Sequence, residues 1–131
     1  VKKIVLARVA GAALALAVLS GQARADIKDY EFQIIDTELK QGDAVLAVRL
    51  VDKRNGKPVP DAVVFATRID MAPDGMEGMT SKIEPAPAAE PGTYRFNVKL
   101  TMAGNWRLSL AAKVQGETGT VENRLTFKAV K

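Results

Sequence analysis

Residues 26–131 are predicted to form an all-β, immunoglobulin-like antiparallel sandwich of about seven strands, and three observations predict it. Apolar and polar residues alternate with period two along most of the segment. Turn-forming clusters interrupt that alternation at intervals of roughly ten residues, and no stretch reads convincingly as a helix.

The first strand is Tyr30 to Ile34, in which Tyr30, Phe32 and Ile34 alternate with Glu31 and Gln33. A turn at Gln41-Gly42-Asp43 leads to a second strand, Ala44 to Val51, and the turn Asn55-Gly56-Lys57-Pro58 to a third, Ala62 to Met71. Counted back from Met71, the core-facing parity of that third strand takes in Ile69, Thr67, Phe65 and Val63. Met71-Ala72-Pro73-Asp74-Gly75-Met76-Glu77-Gly78-Met79 reads as a loop, and a short strand is expected near Ser81 to Glu84. The Pro/Ala-rich segment Pro85 to Pro91 is an extended connection, because proline disfavours both helix and central strand.

After the turn Pro91-Gly92, the apolar residues Tyr94, Phe96, Val98 and Leu100 alternate with polar ones, and Met102 extends the inward series. A tyrosine that enters a strand straight after a turn resembles the corner tyrosine of such sandwiches. Beyond Ala103-Gly104, Trp106, Leu108, Leu110, Ala112 and Val114 form the next inward row, so Trp106 is assigned to the core. The turn Gly116 to Gly119 precedes a last strand with Leu125, Phe127 and Ala129 facing in.

Ahead of this domain, Lys2 and Lys3 precede an apolar run ending near Leu19 and then Ala23-Arg24-Ala25. This is the pattern of a secretory signal peptide over residues 1–25 with an A-x-A cleavage site, so the mature chain is expected to start at Asp26 in the periplasm. The uninterrupted apolar part, Val9 to Leu19, falls well short of the roughly 20 residues of a membrane span. No span is expected after cleavage.

The net charge of +4 comes from the same segment, because Lys2, Lys3, Arg8 and Arg24 account for the excess of basic over acidic residues. Residues 26–131 are balanced, which removes the electrostatic case for a nucleic-acid partner. The chain has no Cys and no His. Disulfides, imidazole bases and Ser-His or Cys-His nucleophile pairs are therefore excluded together. Phosphate-binding glycine loops and the acyl-transfer and metalloprotease motifs are absent too. Asp70, Asp74 and Glu77 read as a solvated acidic loop, and no enzyme is predicted.

What remains is the methionines. The chain has four, and Met71, Met76 and Met79 lie in one short stretch. If strands alternate in direction, the ends carrying Met71 and Met102 meet at one pole, with Met76 and Met79 on the loop there. Thioether sulfur is soft, neutral and not protonated at ordinary pH, so a set of them selects Cu(I) or Ag(I) over zinc, magnesium or calcium. Met71, Met76, Met79 and Met102 are thus candidate metal ligands, shielded by Trp106. Taken singly, Met71 and Met102 are better accounted for as gap-fillers in the core, which leaves Met76 and Met79 unexplained.

The order of these features resembles the YtkA-like domain family, which overlaps the FixH-like proteins. The resemblance rests on Asn55-Gly56-Lys57-Pro58-Val59-Pro60-Asp61-Ala62, the methionine stretch, Pro91-Gly92-Thr93-Tyr94, and Met102-Ala103-Gly104-Asn105-Trp106. It implies a small exported or membrane-anchored sandwich domain in the neighbourhood of copper or heavy-metal efflux, or, among FixH-like relatives, of cbb3-type oxidase assembly. The expected function is Cu(I) handling, as a carrier or accessory to an efflux or oxidase-assembly partner. The alternative is a metal-free module that docks on an envelope complex through its methionines.

Overall fold

The structure is a computed structural model that describes residues 26–88 and 90–131. The expected signal peptide lies outside the described residues. Among the described residues a short 3-10 turn at Ile27–Asp29 is followed by ten strands: β1 (Tyr30–Ile34), β2 (Glu38–Lys40), β3 (Gly42–Asp52), β4 (Lys57–Pro58), β5 (Val63–Met71), β6 (Met76–Ser81), β7 (Ile83–Ala86), β8 (Thr93–Leu100), β9 (Gly104–Lys113) and β10 (Val121–Val130). They form the predicted all-β sandwich. One sheet runs β1-β3-β8-β7, with β4 also on β3, and the other β2-β10-β9-β5-β6. Pairing is antiparallel except between β2 and β10, which run parallel.

Period two puts every second side chain of a strand into the space between the sheets. Phe32, Leu46, Val48, Leu50, Phe96, Val98 and Leu100 enter it from the first sheet, and Ile69, Met71, Trp106, Leu108, Leu110 and Phe127 from the second. Each such burial contributes about 1.5–3 kcal/mol relative to exposure. Polar contacts fix how the layers meet. The Tyr94 hydroxyl donates to the Val59 carbonyl at 2.7 Å and accepts from the Ala62 amide at 3.1 Å, which pins the entry to β5 as a corner tyrosine does. The Phe32 amide of edge strand β1 donates to Asn123 Oδ1 of β10 at 2.9 Å, so one side chain joins the two sheets.

Three local readings are corrected. A bulge between Val64 and Ala66 opposite β9 inserts Phe65 as an extra residue and reverses the facing of everything N-terminal to it. Ile69 and Met71 face the core as expected, but Val63 and Phe65 are 64% and 56% exposed, and Ala62 and Val64 pack inward instead. The segment from Met76 to Ser81 is strand rather than loop, and the expected strand near Ser81 to Glu84 resolves into β6 and β7, in different sheets. Strands β2 and β4 were not expected. They are two or three residues long and exist by pairing with β10 and β3, not by any pattern of their own.

Candidate metal centre at the methionine hairpin

Strands β5 and β6 form a hairpin closed by a 3-10 turn at Ala72–Asp74, with Pro73 inside it and Gly75 in the left-handed region at φ 77°. Glycine takes that conformation without the steric penalty of a Cβ, and its amide donates to the Ala72 carbonyl at 2.8 Å. Asp74 fastens the turn to the start of β9, accepting from the Asn105 amide at 2.8 Å and from Asn105 Nδ2 at 2.9 Å. The Asn105 amide foremost, then its side chain, holds the Asp74 carboxyl below its usual pKa.

Met71 and Met76 are directly paired across this hairpin. They are the backbone pair that closes the turn, at the point where the ladder's register shifts. The register then shifts: Asp70 pairs Thr80 and Ile69 pairs Ser81, which leaves Glu77, Gly78 and Met79 bulged outward on β6. Met71 is wholly buried, whereas Met76 and Met79 are 36% and 38% exposed on the last strand of the sheet.

Met102 lies two residues beyond the end of β8, partly buried against the core, and its carbonyl accepts the Trp106 indole N–H at 3.1 Å. The following turn brings Gly104 against Met71: a Cβ there would fall 2.7 Å from Met71 Cε. Because Asp70 pairs Arg107, the end of β5 adjoins the start of β9, just after β8 ends. The ends of β5 and β8 therefore meet at one pole. The structure pairs Met71 with Met76 there and brings Met102 to the same end, while Met79 sits on the bulge.

Of the three carboxylates expected on a solvated loop, Asp74 and Glu77 are exposed but Asp70 is not. Asp70 is fully buried on the opposite face of β5. It accepts from the Ala72 amide at 2.9 Å, Arg68 Nε at 3.0 Å and Arg107 Nη2 at 3.1 Å. Burial pushes its carboxyl up, but the amide and the two guanidiniums together outweigh burial and hold it below the usual range. Both arginines reach on to β6, Arg107 to Glu77 Oε2 at 3.2 Å and Arg68 to the Glu77 carbonyl at 2.9 Å. The Arg107 Nε, shut from solvent, has no acceptor among the described residues. The network is a latch holding the methionine-bearing strand to β5 and β9. Its only sequence signal is that Arg68 and Asp70 are two apart on one strand and so share a face.

Among the described residues no three His, Cys, Asp or Glu side chains are grouped to hold a metal. An open hollow of about 470 Å³ lies elsewhere, on the outer face of the second sheet around Ala66, Arg68, Ser109 and Arg124, and no methionine lines it.

The YtkA-like family model matches residues 24–111, from the N-terminal turn to near the end of β9. No curated protein matches the chain in sequence. Among solved structures, the crystal structure of the Lin-41 filamin domain is similar at 18% identity and a TM-score of 0.47, over 78% of this chain and 92% of that one. The ZirS C-terminal domain is similar at 12% identity and 0.45, over 81% and 68%. An endo-β-1,4-mannanase from Thermotoga petrophila is similar at 18% and 0.42, over 80% and 20%.

Proposed function

Since the chain belongs to the YtkA-like family, we propose that it handles Cu(I) in the periplasm through Met71, Met76, Met79 and Met102, as a carrier or accessory to an efflux or oxidase-assembly partner rather than as an enzyme. The observation that carries this reading is the direct pairing of Met71 with Met76 at the pole where Met102 also lies. Thioethers fit Cu(I) or Ag(I) and not hard ions, and they need lose no proton to bind. The two exposed methionines sit on the outside of the hairpin, where a donor or acceptor protein has access to the ion. Among the described residues no helix is long and apolar enough to cross a membrane.

Changing Met76 and Met79 together to Leu tests the proposal. The swap keeps bulk and apolarity and typically costs below about 1.5 kcal/mol, so the metal-free melting midpoint should barely move. Ag(I) or Cu(I) should raise the midpoint of the unchanged protein, by about 2.7 kcal/mol of stability at a hundredfold excess over Kd, and should not raise the variant's. Calcium and zinc serve as controls. Equal responses in the two proteins would remove Met76 and Met79 from the site.

A second reading is supported by the same exposure: apolar Met76 and Met79 on the edge strand β6 suit a metal-free docking surface for an envelope protein. In that case the Leu variant keeps its partner and neither protein responds to metal.

A further inference from the structure

The hairpin sorts the four methionines by access. Met76 and Met79 present a third or more of their surface to solvent, and Met71 presents none. Met102 is only partly open, packed against the core, and its carbonyl is held by the buried Trp106 indole. Thioether oxidation follows exposure, since the oxidant must reach the sulfur.

We propose that Met76 and Met79 are sulfoxidation sites, and that their oxidation by hydrogen peroxide or hypochlorous acid reversibly switches off the thioether donor set without unfolding the protein. The consequence for metal rests on the function proposed above. In the step with peroxide, the sulfur lone pair attacks one peroxide oxygen. An S–O bond forms, the O–O bond breaks, and the other oxygen leaves as water after proton transfer. The sulfur loses two electrons and the peroxide gains them.

Position decides why this is a switch and not damage. Met76 and Met79 lie on β6, whose outer edge pairs with no strand among the described residues, so a sulfoxide oxygen there is hydrated by water. The Arg68 and Arg107 bonds to Glu77 that hold β6 in place involve no methionine. At Met71 the same oxygen would enter the core, where the methyl group already lies against Gly104, and an unpaired polar atom there is costly. The sulfoxide offers a hard oxygen in place of a soft sulfur, which a cuprous ion disfavours. Methionine sulfoxide reductases restore the thioether, one enzyme for each epimer.

The test is to treat the folded, purified protein with graded hydrogen peroxide, map each methionine by peptide mass spectrometry, and measure Ag(I) binding and the melting curve on the same samples. Oxygen should appear on Met76 and Met79 first, then on Met102, and on Met71 only after unfolding. The form oxidised at Met76 and Met79 should melt cooperatively and bind Ag(I) more weakly by on the order of tenfold or more, and both reductases together should restore binding. Oxidation of Met71 as fast as Met76, or loss of the cooperative transition on the first oxygen, overturns the site assignment. Unchanged Ag(I) binding by the oxidised form overturns the switch. Absence of Ag(I) binding by the untreated protein overturns the metal reading and the switch with it, while the oxidation map still decides the sites.

Discussion

Gly104 is where one side-chain atom decides the hairpin's fit. Its φ of 141° lies in a region that residues with a Cβ rarely adopt, and a Cβ would fall 2.6 Å from Asp74 Oδ2 and 2.7 Å from Met71 Cε. Gly104→Ala must therefore move the turn clasp or the buried methionine, or strain the backbone. It should destabilise the protein by about 1–3 kcal/mol in urea unfolding. An unchanged midpoint would mean that the Met71 tip and Asp74 yield freely. Phe65 shows the converse, a large aromatic residue turned to solvent because one bulged position upstream of Ala66 reversed the strand.

At the level of elements, β6 is an edge strand with little buried surface: its first residues are exposed and only Ser81 is partly covered. Its hold on the sheet comes from its pairing with β5 and from the Arg68–Asp70–Arg107–Glu77 network. Arg107→Gln removes the charge that joins Asp70 to Glu77. The backbone amides of β6 should then exchange with solvent faster while those of β8, in the other sheet, keep their protection. The global cost should be about 1–3 kcal/mol, since a buried carboxylate loses one of its charged donors. Unaltered exchange along β6 would show that backbone pairing alone fixes the strand.

For the whole molecule, the absence of His means that no side chain with an ordinary pKa near neutrality titrates there. Asp70 and Asp74 are held below the usual carboxylate range, and so is Asp52, chiefly by the Arg54 side chain. As pH falls below about 4 the unfolded chain takes up protons that the folded chain refuses, so this contribution to stability is lost as pH drops through the folded pKa values. Tyr30 works at the other end. Burial first, then its hydrogen bond to Glu117, pushes its phenol from 10.0 up to about 12. There the unfolded chain releases its proton first, and stability falls as pH rises from 10.0 towards 12. The melting midpoint should be nearly flat between these limits and fall on both sides, and Asp70→Asn should flatten the acid limb. A slope centred on neutral pH would contradict this.

Local alternation determined the inward rows of β8, β9 and β10, so Phe96, Trp106 and Phe127 were legible as core from their own neighbours in sequence. The same was true of the family, carried by motifs that can be read directly from the chain. Tertiary structure decided the rest: which half of β5 faces inward, that β6 is a strand at all, that Asp70 is buried between two arginines, and that Met76 rather than Met79 stands opposite Met71. These depend on which strands become neighbours and in what register. A period-two pattern states that a residue faces one side or the other, but a single bulge reverses the side, and the residue across the gap belongs to another part of the chain.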